Sequence, residues 1–126
     1  MNKTSYHILR VGLAITFIWI GILILKYPIA WEGYLQPWAR ELLPIPAHQA
    51  LLSTAVLDII IGILFLIEWK IWIAGLLGSL HLIMVLTVSG ITDITVRDIG
   101  LLAATLAIMM ESMPMSIVNK FKKTNI

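Results

Sequence analysis

The chain has no cysteine among its 126 residues. That excludes a disulfide framework, iron–sulfur clusters held by thiolates and thiol redox chemistry, so any electron transfer would need a borrowed carrier. Charge is scarce as well. Lys, Arg, Asp and Glu make up 13% of the chain, against about a quarter in soluble globular proteins. The net charge of +2 is small and dispersed, which excludes the clustered basic surface that nucleic acid requires. No internal repeat, low-complexity run or Gly/Ser linker divides the sequence, and its length suits one domain over 1–126. What fills it is apolar: 60% hydrophobic residues, with a mean hydropathy of +0.95. The lipid bilayer is therefore the first expected partner.

Four apolar stretches, 8–25, 47–67, 71–90 and 99–118, each approach the ~20 residues that cross a bilayer as helix. Four spans put both termini on one side. Lys3, Arg10, Lys70, Lys120, Lys122 and Lys123 lie on that side, against Lys26, Arg40 and Arg97 on the other. The positive-inside rule then makes both termini cytoplasmic in a multi-pass protein of the cell membrane. Lys26-Tyr27-Pro28 is no small-residue cleavage site, so the first span is read as uncleaved. The expected fold is all-α, an integral membrane four-helix bundle.

The outer link between the first two spans has its own pattern. Trp31, Tyr34, Leu35, Trp38 and Leu42 fall at helical spacing, with Glu32, Gln36, Arg40 and Glu41 mostly between them. This predicts an interfacial helix bent at Pro37 and ended by Pro44 and Pro46. It serves either as an aromatic belt at headgroup level or as a lid whose rings stack on a flat ligand such as a quinone.

Charged residues inside apolar runs point to chemistry or to structural pairing. Asp58 and His81 fall near the middle of the second and third spans, where their depths match in a tight hairpin. Paired, they form either a proton-exchanging couple or a polar clamp, with Ser53, Thr54 and Ser79 as other clamp partners. Thr95 and Asp98 resemble a capping box at the start of the fourth span. Arg97 opposes the helix dipole there. With Asp98, Asp93, Trp31 and Trp38 it makes either an anchor or a polar pocket that donates to a quinone carbonyl or an oxyanion. Arg10 and Glu111 are expected to pair between the first and last helices, or to form a proton route. Met109, Met110, Met113 and Met115 could hold Cu(I), but are read as adaptable packing with no metal site. His7 and His48 are expected in solvent, and Gly12, Gly21, Gly75 and Gly78 at close helix contacts.

These residues together resemble the DoxX-like family of small membrane proteins. The resemblance lies in Arg10, Gly12, Trp19, Gly21 and Lys26 of the first span and in Pro37-Trp38 and Leu43-Pro44-Ile45-Pro46 of the link. It continues in Asp58 and Gly62, where the family more usually has glutamate, and in Arg97, Asp98, Gly100, Leu101 and Leu102. It implies four spans and a place in quinone-linked membrane redox metabolism, with quinone as a non-covalent cofactor and a redox partner subunit. The candidate catalytic residues are Asp58, His81, Arg97 and Asp98; the candidate cofactor-binding residues are Trp31, Tyr34, Trp38 and Arg97. Whether the chain is itself an enzyme stays open. The alternatives are a non-catalytic anchor or stabilising subunit of a redox or oxidative-stress complex, and a small transporter, either of which could act as a homo-oligomer.

Overall fold

A computed structural model describes residues 2–93 and 95–124, with the main chain alone over 121–124. Every regular element among the described residues is a helix. The first, α1 (Lys3–Lys26), starts where the Asn2 side chain accepts from the Ser5 amide at 2.8 Å, meeting one of the orphan donors of a helix start. Its 24 residues span about 36 Å at ~1.5 Å each, enough for the ~30 Å hydrocarbon core. Two further helices, α4 (Ala47–Leu66) and α5 (Ile71–Ser89), are also long and apolar enough to cross a membrane.

The outer link holds α2 (Pro28–Glu32) and α3 (Pro37–Leu42), separated by the turn at 33–36. The single bent helix expected there is thus two short ones. Proline suits a helix's first turn, where its missing N–H is not needed, and Pro37 opens a helix instead of bending one. Pro46 stands at the N-cap of α4.

The fourth apolar stretch differs most from expectation. It divides into α6 (Arg97–Ser112) and α7 (Met115–Thr124). Pro114 lacks an amide proton and forces Met113 into extended backbone, with ψ 134°, so the helix stops there and not at Val118. With 16 residues, α6 reaches about 24 Å and is not among the three candidate spans. Nor does Thr95 cap it. Its hydroxyl donates to the Gly90 carbonyl at 2.6 Å and accepts from the Thr92 amide at 2.7 Å, and Val96 takes the N-cap position without a side-chain bond.

The long helices associate as two antiparallel pairs, α1 with α4 and α5 with α6. Missing side chains make this possible. A Cβ on Gly21 would lie 2.8 Å from the Ala55 carbonyl, and one on Gly62 would lie 2.9 Å from that of Ala14. Gly75 likewise meets Thr105 and Met109 of α6, whereas Gly12 touches nothing across a helix interface. Close backbone approach of this kind supplies dispersion contacts where lipid removes the hydrophobic drive for association.

The core fills the half of the molecule near the α4–α5 link, with Leu13, Phe17, Ile61, Phe65, Ile71, Ala74 and Ile108 buried. Phe17 and Phe65 rings lie 6.1 Å apart. Arg10 seals that end by donating from Nη1 to the Phe65 and Leu66 carbonyls, at 2.7 and 2.9 Å, and from Nε to His7 Nδ1 at 3.2 Å. The expected pairing of Arg10 with Glu111 is therefore replaced by a C-cap on α4, where four carbonyls lack helical partners. His7 is correspondingly part-buried and held, and His48 is exposed. The outward faces stay apolar: Ile8, Trp19, Ile22, Ile60, Leu80 and Ile83 are all exposed. Faces like these suit lipid and not water.

Candidate functional site

Opposite the packed end, the two helix pairs part around a cavity of about 900 Å³. Its walls are mostly aliphatic. α1 supplies Phe17, Ile20, Leu23 and Ile24; α4 supplies Ala50, Leu51 and Thr54; α5 supplies Leu82, Val85 and Val88. Trp31, Tyr34, Leu35 and Ala39 of the link close the outer end, with the Trp31 and Tyr34 rings edge to face at 5.7 Å.

The link is fixed to α5 through one residue. Gln36 donates from its amide to the Val88 carbonyl at 2.9 Å and from Nε2 to the Ser89 carbonyl at 3.1 Å. Two carbonyls of the last turn of α5 thereby gain partners. Gly90, with φ 72°, turns the chain beneath it, and a Cβ there would sit 3.0 Å from the Gln36 Nε2. Only glycine combines that backbone with that approach at little cost.

Asp58 and His81 meet on the cavity wall. His81 Nε2 lies 2.9 Å from Asp58 Oδ1, and the residues are 6% and 4% exposed. The sequence reading placed them at matching depth, and the structure brings them into contact. A carboxylate only accepts, so the shared proton sits on Nε2 whenever Asp58 is ionised, which leaves Nδ1 as the acceptor of a neutral ring. That Nδ1 is buried and has no hydrogen-bond partner. Of the hydroxyls lining the cavity, Thr54 donates to the Leu51 carbonyl, and Thr16 to that of Gly12.

Arg97 and Asp98 line the same cavity. The two charge pairs that the sequence placed at the midplane and at the mouth thus share one site, close enough for Asp98 to feel both Asp58 and His81. Asp98 precedes the apolar run of α6 and lies outside the three candidate spans. Burial pushes its carboxyl above the ordinary carboxylate range, and the neighbouring Arg97 guanidinium pulls it back. Trp38 does not join them. It is 48% exposed and lies off the cavity wall, as does exposed Asp93.

In a further polar contact between helices, sequence reasoning named Ser79 as a clamp residue but missed its partner, Thr105. Ser79 donates from its buried hydroxyl to Thr105 Oγ1 at 2.9 Å or to the Gly75 carbonyl at 2.7 Å, tying α5 to α6. Thr105 is the polar interruption of an apolar run, seven residues after Asp98, and that was the available signal. Ser53 and Thr54 bond within their own helix. Among the described residues no group of three or more His, Asp and Glu side chains comes together to hold a metal ion. Met109 packs on Gly75, while Met110 and Met115 are exposed.

Compared with models of known families, with curated protein sequences and with solved structures, the chain matches none of them.

Proposed function

We propose that the chain is a DoxX-like four-helix membrane protein, with α6 as a short fourth crossing and the outer link as a lid, whose cavity holds a quinone. The observation that carries this reading is the buried pair of His81 and Asp58, bonded through His81 Nε2, on the wall of an apolar cavity edged by aromatic rings. Flat, mostly apolar ligands with a few polar atoms fit such a site.

When bound, a quinone supplies two-electron, two-proton redox chemistry. The chain's own residues bind it and handle protons. His81 and Asp58 exchange a proton at the cavity wall, where Asp58 also fixes the ring's orientation and balances its charge. Arg97 donates at the mouth to a carbonyl oxygen. Trp31 and Tyr34 offer ring surfaces and keep water out. Electrons come from a redox partner subunit, because a cysteine-free chain offers no thiolate for an iron–sulfur carrier. The chain lies in the cell membrane with both termini cytoplasmic, as the distribution of lysine and arginine supports.

The test is native mass spectrometry of protein gently solubilised from its own membranes, with extraction of bound small molecules. Quinone is expected in stoichiometric amount, and Arg97→Ala and Asp58→Asn are expected to lose it. Retention in both variants would remove these residues from the site. A fixed partner protein without quinone would instead make the chain a membrane anchor.

A further inference from the structure

The cavity is covered unevenly. Its outer end, toward water, is walled by the link that Gln36 holds to α5. Its side is not. Ile15 and Trp19 of α1 line the cavity and yet are 57% and 64% exposed. Across from them on α6, Arg97 and Gly100 also line it and are also exposed. α1 and α6 are neighbours. They close on each other at Gly78, where a Cβ would meet Phe17 at 3.2 Å and Thr105 at 3.3 Å. Gly100 lies more than a turn outward of Thr105, and a side chain there would meet no heavy atom within 4 Å. On the other flank, between α4 and α5, only one lining residue, Met84, is exposed. The gap between α1 and α6 therefore opens where helix faces are apolar and meet lipid.

We propose that the cavity opens sideways into the bilayer between α1 and α6, and that its ligand is an amphiphile dissolved in the lipid. The polar ring lies against His81 and Arg97, and the hydrocarbon tail passes over Gly100 to remain among the lipid chains. The nature of the ring rests on the quinone reading; the route rests on the exposed rims alone. A tail left in lipid keeps its surroundings apolar, so only the ring must be desolvated and recognised. Gly100 leaves the width that a tail needs.

Two measurements on the full chain in vesicles separate route from ring. The first compares binding of a long-tailed and a tailless quinone to wild type, Gly100→Trp and Met84→Trp. Gly100→Trp is expected to weaken the long-tailed ligand by about tenfold and the tailless one by less than about twofold, with Met84→Trp close to wild type for both. Equal effects on both ligands, no effect of Gly100→Trp, or a selective effect of Met84→Trp would overturn the portal.

The second needs no quinone. Thr54 lines the cavity, and Thr54→Cys, the only cysteine in the chain, can carry a benzophenone. Irradiation in phospholipid vesicles is expected to yield lipid adducts that fall sharply in the Gly100→Trp background. Adducts that ignore Gly100→Trp, or none at all, would overturn the portal. Adducts that respond to it, in a protein that binds no quinone of either length, would keep the portal and overturn the ring.

Discussion

His81 has two ring nitrogens in different circumstances, one bonded to Asp58 and the other buried without a partner. Removing only Asp58 strands the bonded nitrogen as well, and a buried polar group left without a partner costs about 1–3 kcal/mol. Asp58→Leu should therefore destabilise the protein by that amount in thermal unfolding in detergent. Asp58→Leu combined with His81→Leu should recover part of the loss, because the coupling between contacting residues disappears when both go. Strict additivity of the two changes would mean that the contact contributes nothing. The pair itself was legible in the sequence, since two polar residues at equal depth in a hairpin of apolar helices have few other places to go. Trp38 was less legible. Helical periodicity put it on one face with Trp31 and Tyr34, but that face exists only if the helix is continuous, and the turn at 33–36 rotates Trp38 away.

At the scale of the helices, the α1–α4 contact is set by one glycine from each helix, Gly21 and Gly62. A side chain on Gly62 would lie 2.5 Å from Ile18 Cγ1 and 2.9 Å from a backbone carbonyl that cannot move aside. Gly62→Leu should separate the pair and cost about 1–3 kcal/mol, the usual range for overpacking. Gly12→Leu should be nearly silent, as its surroundings are open. Melting temperatures of the two variants check this, and equal losses would show that helix propensity matters more than fit. The second and third spans, read from the sequence as 47–67 and 71–90, match the helices Ala47–Leu66 and Ile71–Ser89, because their charged or proline borders leave little freedom, whereas the first helix starts at Lys3 and not at Ile8. The fourth was overextended. Met113 and Met115 keep the sequence apolar on both sides of Pro114, while the backbone cannot continue as helix, and composition alone does not weigh one missing amide proton against the length of the run.

For the whole molecule, the number of crossings decides where the C-terminal helix lies. If α6 crosses, α7 shares a side with the start of α1; if it does not, α7 joins the outer link. The absence of cysteine makes this measurable with single replacements at exposed positions: Ser5→Cys, Glu41→Cys and Asn119→Cys. A membrane-impermeable maleimide added to intact cells should label Glu41→Cys alone, and added to inverted vesicles should label the other two. Labelling of Asn119→Cys together with Glu41→Cys would leave three crossings. The packed end and the open end were not distinguishable in sequence, since both are built from the same aliphatic residues. What separates them is where the small residues fall, as Gly62, Gly75 and Gly78 draw the helices together over the packed half, whereas Gly100 beyond it meets no neighbour.

The attachment at Gln36 has a further consequence. Because its main-chain and side-chain bonds both end on the last turn of α5, the outer link cannot swing clear as a hinged flap without exposing the Val88 and Ser89 carbonyls. A swing of the link that uncovers the cavity must break both of these bonds at the same moment. The outer wall and the end of α5 thus behave as one cooperative unit. The Gln36 amide is its natural clock, since its rate of exchange with solvent deuterium times that joint opening.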